Sequence, residues 1–153
     1  VVDAEYNKVS DEFIETLEQL IDPENARGEK GTGLGMAPIG HKVTIVTPTE
    51  LTINISAKVT LSSGYNLGQV QTPIQEALED YLLQLRQEWG LADDLNNYSL
   101  AIYIARVTMA ILSVGGIANV TNVTINGNAE DLILLENATT QQLPILGTVS
   151  ITE

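Results

Sequence analysis

The run Leu51-Thr52-Ile53-Asn54-Ile55-Ser56-Ala57-Lys58-Val59-Thr60-Leu61 alternates apolar and polar residues without a break. Successive side chains of a strand point to opposite faces, so this strict period of two predicts a long strand with one buried face and one wet face. Such a strand needs company. Upstream, Val43 and Ile45 suggest a partner strand, with Thr47-Pro48-Thr49-Glu50 as the connecting turn. Downstream, after Ser63-Gly64-Tyr65-Asn66, the period changes to that of a helix. Ile74, Leu78, Tyr81, Leu82 and Leu85 form a stripe ending near Trp89-Gly90. Thr72, Pro73 and Gln75 fit an N-cap, a first helical position and a capping box; the alternative start is Leu67, with Pro73 inside the first turns.

Farther out the pattern stays mixed. Asp93 to Ser99 reads as a polar connection, and Ile102 to Val114, apolar almost all round, predicts a helix buried between layers and ended by Gly115-Gly116. Leu100 to Ile104 is equally compatible with a strand leading into it. Val120 to Ile125 and Leu132 to Leu135 read as strands, with Asn126-Gly127 as a tight turn. A Pro-interrupted segment at Leu143 to Gly147 precedes a closing strand, Thr148 to Thr152. At the other end, residues 1–6 look like a short strand. Ser10 caps a helix carrying Phe13, Leu17, Leu20 and Ile21 on one stripe, and Asp22-Pro23 stops it. From Pro23 to Gly40 runs a Gly-rich loop. The expected fold is α+β: a mostly antiparallel sheet with two helices packed on one face, plus an N-terminal helix and a long Gly-rich loop. Residues 1–40 are expected to link to an upstream domain and 41–153 to form a compact assembly domain. The strand-like start suggests a piece of a longer protein.

Composition narrows the function. With 44% hydrophobic residues in 153, a real core is available, and no apolar run approaches the roughly 18 to 20 residues of a membrane-spanning helix. Twenty acidic residues against seven basic ones give a net charge of −13, which disfavours nucleic acid and anionic membranes. Residues 1–30 hold nine acids against three bases, an acidic face that suits solvent or a basic partner. No cysteine is present, so disulfides, thiolate nucleophiles and zinc–thiolate sites are all absent.

No stretch assembles an active site. Gly35 and Gly40 have the spacing of a phosphate loop, but His41 stands at its Lys position and Lys42 at its Ser/Thr position. A strand, rather than a helix N-terminus, follows. His41 is the single histidine and has no acidic neighbour in sequence. The acidic pairs Glu79-Asp80, Asp93-Asp94 and Glu130-Asp131 read as caps or solvated ends, and Asn126 to Glu130 matches a calcium loop only in part. The Asn-x-Ser/Thr triplets at Asn54, Asn97, Asn119, Asn122 and Asn137 follow from a Thr-rich strand composition. No catalytic residue, metal or cofactor is expected.

Several pieces in order carry a resemblance. Gly33-Leu-Gly35-Met-Ala37-Pro38-Ile39-Gly40, the β unit ending Leu51 to Ala57, and the helix Ile74 to Leu82 resemble baseplate J-like proteins of contractile-tailed phages. Ala110 to Val120 resembles the family's helix-to-Gly-Val corner, Asn122 to Gly127 the strand and turn after it, and Leu143 to Val149 the closing strand. His41 and Ile117 are mild departures from that pattern. The order matches the C-terminal part of such a protein, in the type found in the PBSX prophage of Gram-positive hosts. The resemblance implies a structural role in the tail baseplate wedge and no catalytic residues. Its implied partners are other wedge proteins and further copies of itself, assembled in the host cytoplasm, with no nucleic acid and no membrane. Candidate contact surfaces are the acidic helix (Glu12, Glu15, Glu18) and the wet strand face (Thr52, Asn54, Ser56, Thr60). The other classes weighed are a carbohydrate-binding or adhesive module, for which exposed aromatics are scarce, and a hydrolase built on facing carboxylates.

Overall fold

A computed structural model describes residues 1–88, 100–135 and 140–153. The chain divides into two compact units, Val1–Pro48 and Thr49–Glu153.

The second unit is organised by the alternating strand. It forms β1 (Thr49–Leu61), the middle strand of a three-stranded sheet. β3 (Ile117–Ile125) runs antiparallel to it on one side and β5 (Gln142–Thr152) parallel to it on the other. Ile53, Ile55, Ala57 and Val59 are buried, while Thr52, Asn54, Lys58 and Thr60 are exposed, as the period of two demands. Two helices cover the buried face. α2 (Leu67–Glu88) packs against β5, α3 (Ile104–Leu112) packs against β3, and the helices touch each other. Ile74, Leu78, Leu82, Val107 and Ile111 share one core with the strand residues. A short antiparallel ribbon, β2 (Ala101–Ile102) with β4 (Leu132–Ile133), completes the unit. The architecture is α+β as expected, with one of its pairings parallel.

Local chemistry decided several points differently from the sequence reading. Val43 to Val46 forms no strand, and Thr49-Glu50 belongs to β1 rather than to a turn. The partner place beside β1 is filled from the C-terminal end of the chain instead. α2 starts at Leu67, the alternative start, and not at Pro73. Asn66 Oδ1 accepts the Gln69 N–H and Gln69 Oε1 accepts the Asn66 N–H, a reciprocal capping box that precedes the Thr72 one. The earlier start buries Val70, and exposed Pro73 is tolerated inside the helix. β5 runs unbroken through Pro144, because an edge strand can spare one N–H. α3 is not buried all round. Val107 and Ile111 face the core, whereas Tyr103, Met109 and Leu112 are exposed. β4 stops at Ile133, two residues before the expected end.

The first unit carries α1 (Asp11–Ile21), whose Ser10 Oγ accepts the Phe13 N–H. Residues 1–6 contribute one isolated bridge, Val2 to Lys8, across a turn rather than a strand. The expected α2 end at Trp89-Gly90, the Asp93–Ser99 connection, and Asn97 and Asn137 lie outside the described residues.

Leu78 is fully buried under α2. Leu78→Ala should lower the unfolding free energy of the chain by about 2–5 kcal/mol, read from the urea midpoint at unchanged slope.

Candidate functional site

Two surfaces hold the residues singled out by sequence. The first is the wet face of the β3-β1-β5 sheet. Ser56 Oγ lies 2.6 Å from Thr124 Oγ1 on the opposite position of β3, a hydroxyl pair across the strands. Asn54 is tied into the backbone. Its N–H donates to Asn126 Oδ1 at 2.8 Å, its carbonyl accepts the Asn126 N–H, and its own Oδ1 accepts the Thr148 N–H at 2.9 Å. This occurs where Ile53 pairs with Leu146 but Ile55 pairs with Val149, so β5 carries an extra residue opposite Asn54. Asn54 thus replaces ladder bonds that the bulge removes. Thr52, Lys58 and Thr60 stand in solvent beside it.

The second surface is α1. Glu12 and Glu15 are exposed. Glu18 makes an ion pair with Lys30 at 3.1 Å, and that hydrogen bond holds its carboxyl below the usual range. Glu15, Glu18, Asp22, Glu24 and Lys30 line an open concavity of about 560 Å³. Among the described residues, no group of three or more His, Asp or Glu side chains is placed to hold a metal ion.

The motifs that invited chemistry have structural employment. The backbone N–H groups of Gly31, in the Gly-rich loop, and of Val43, just past it, donate to Asp22 Oδ1 and Oδ2 at 2.7 and 3.0 Å. The anion those N–H groups hold is therefore the chain's own carboxylate, 2% exposed. The Val43 and Gly31 bonds hold the Asp22 carboxyl below its ordinary range. His41 is exposed, with its N–H on the Pro38 carbonyl. Asp131 Oδ1 accepts the Ile104 N–H at 2.8 Å and caps α3, whose N-cap Tyr103 offers no side-chain bond. Glu79 accepts from Arg86, which is buried and also donates to the Pro144 carbonyl at 3.1 Å. Asn126 and Gly127 both have positive φ, as a type I′ turn requires.

Sequence reasoning missed one feature of the first unit. Leu34, Met36 and Ile39 are 64, 73 and 80% exposed, all on the Gly31–Gly40 loop. The signal was available: large apolar residues between glycines, on no helical or strand stripe.

Residues 53–152 match the family model for the Baseplate J-like protein C-terminal domain. The chain belongs to this family. Its matched region covers most of the second unit, from the middle strand through the closing strand. The chain is also 26% identical, over all 153 residues, to the phage-like element PBSX protein XkdT of Bacillus subtilis (strain 168). It is 28% identical, again over its full length, to the uncharacterized protein YqbT of the same strain. It spans 38% of the length of each of these relatives. Membership in this baseplate family supports a structural role related to the phage tail, and no helix among the described residues is long and apolar enough to cross a membrane.

Two outcomes check the loop chemistry. A Cβ at Gly35 would meet the Ile21 carbonyl oxygen and Pro23 Cδ, each at 2.5 Å, so Gly35→Ala should destabilise the first unit by about 1–3 kcal/mol; resistance of the loop to proteolysis should fall with it. The Asp22 carboxyl has a folded pKa below its unfolded value near 3.9. Its contribution is therefore present above about pH 4 and lost as pH falls through the lower folded value. The Gly31 and Val43 amide resonances should titrate in that acid window, and in Asp22→Asn they should not.

Proposed function

We propose that this chain is an assembly domain of a contractile-tail baseplate wedge, working through protein–protein contacts with neighbouring tail proteins. The family match over residues 53–152 carries the reading. The surfaces are consistent with it in kind. A three-stranded sheet shows a broad Thr/Ser/Asn face, and α1 shows an acidic face with no base of its own. Hydroxyls on such a face supply the hydrogen bonds of an interface's polar rim, around apolar anchors elsewhere. The wet-face contact residues are Thr52, Ser56 and Thr60, with Asn54 mainly holding the strands together. The partners on this reading are other wedge proteins and further copies of the chain, assembled in the host cytoplasm without a nucleic-acid or membrane component.

Glu18 is engaged by Lys30, so Glu12 and Glu15 are the cleaner residues to reverse. Surface ion pairs contribute about 0.2–1 kcal/mol each. Replacing two attractions by repulsions should then weaken association roughly tenfold. The pair Glu12→Lys and Glu15→Lys should lower the yield of complete tails by about that factor while the chain itself stays folded by circular dichroism. Full tail yield from the variant would remove α1 as a contact. Absence of the unmodified chain from purified tails would overturn the baseplate reading.

A further inference from the structure

We propose that the Gly31–Gly40 loop is a preformed docking tip that seats Leu34, Met36 and Ile39 in an apolar socket, rimmed by Lys or Arg, on a different tail protein. The proposal rests on the baseplate reading and adds a contact that neither the wet sheet face nor the acidic helix provides. Single exposed apolar residues are ordinary on protein surfaces. Three within six positions of one closed loop, at 64, 73 and 80% exposure, are not scattered singles.

The loop is built to hold them outward. Gly40 N–H donates to the Gly31 carbonyl at 2.8 Å and closes the ends. Ala37 is buried, and its N–H donates to the Ile21 carbonyl at 2.7 Å; Met36 N–H donates to the Leu20 carbonyl at 3.2 Å. Those two carbonyls belong to the last turn of α1 and have no partner within the helix, so the loop satisfies them. Gly35 lies against Ile21 and Pro23 with no room for a side chain, and the buried Asp22 carboxylate fixes the Gly31 end. A loop anchored at its middle and both ends has already met most of the ordering cost of binding. An apolar cluster that merely lacked a place inside would not be held this way.

Charge selects the occupant. The acid-lined concavity holding Glu15, Glu18 and Glu24 shares the Asp22-Pro23 corner against which Gly35 is pressed. Its one base, Lys30, is paired with Glu18, and exposed Lys42 stands beside the loop's closed ends at Gly31, so acids still outnumber bases around the corner. The first 48 residues carry nine acids and four bases, and the whole chain carries −13. A second copy or an anionic bilayer would bring like charge to this corner. A protein surface with an apolar pocket and flanking Lys or Arg meets both the tip and the acids beside it.

The test places p-benzoylphenylalanine at position 36 of the full-length protein, in the phage or prophage that encodes it, and irradiates purified tails. The expected result is one main adduct to a different tail protein, mapped by mass spectrometry to an apolar segment next to Lys or Arg. Leu34→Ser with Ile39→Ser should lower that adduct at least tenfold, with an unchanged melting temperature because both residues are exposed. Adducts only within the same chain, only to a second copy, or none from tails that contain the chain would overturn the docking tip alone. A chain that never enters tails would overturn the baseplate reading and this proposal with it.

Discussion

β1 is paired on both sides, and the second unit follows from that. A strand in the middle of a sheet has no free backbone edge, so its side chains alone decide what lies above and below it. Odd-numbered Ile53, Ile55, Ala57 and Val59 make one face apolar, and the two helices can bury their own stripes only against that face. A register slip of one residue would put Thr52, Asn54 and Ser56 under the helices instead. Asn54 guards against such a slip. It binds Asn126 on one side and Thr148 on the other, at the point where β5 accommodates its extra residue. Gly147 belongs to the same arrangement, because a side chain there would run into Asn54 and Thr52. A polar residue on the solvent face thereby specifies the pairing of three strands.

Much of this was legible because it is periodic. The alternation of β1, the stripe from Ile74 to Leu85, the Ser10 cap and the Asn126-Gly127 turn each depend on residues close in sequence, and each appears as read. The misreadings depend on partners far away. The places beside β1 that Val43 and Ile45 were read to share are taken by Ile117–Ile125 and Gln142–Thr152, segments far along the chain. Asn66-Gln69 and Thr72-Gln75 are equally good capping boxes locally; burial of Val70 chooses the first. The cap of α3 comes from Asp131, twenty-seven residues after the N–H it accepts. Apolar content alone suggested a fully buried α3, yet a helix on the outside of a two-layer unit has only one face to hide, and Met109 and Leu112 are what remains.

The candidate surfaces were legible to a different degree. Thr52 and Thr60 are exposed because the strand period says so, and Ser56, on the same face, is half-buried beside Thr124. Asn54 looked alike in sequence and is employed structurally, a distinction that only the bulge reveals. In α1 the same holds for Glu18, which Lys30 occupies, against Glu12 and Glu15. The Gly-rich loop shows the limit most clearly. Its glycine spacing invited a phosphate-loop reading that His41 and Lys42 argued against, and the anion its Gly31 N–H holds is the chain's own Asp22.

That internal use of the loop's N–H groups bears on what the loop is for. A phosphate loop must keep its donors free until a ligand arrives. Here Gly31, together with Val43 just past the loop, holds Asp22, Met36 and Ala37 satisfy the end of α1, and Gly40 closes the loop on itself. The donors at those positions are occupied within the chain, and the largest surface the loop presents outward is that of its side chains. Those side chains are Leu34, Met36 and Ile39, which offer only apolar area. Burying a large aliphatic side chain contributes about 1.5–3 kcal/mol, so three seated together outweigh several surface ion pairs. In a chain this acidic, charge sets which partner can approach, and apolar contact supplies most of the affinity once it has.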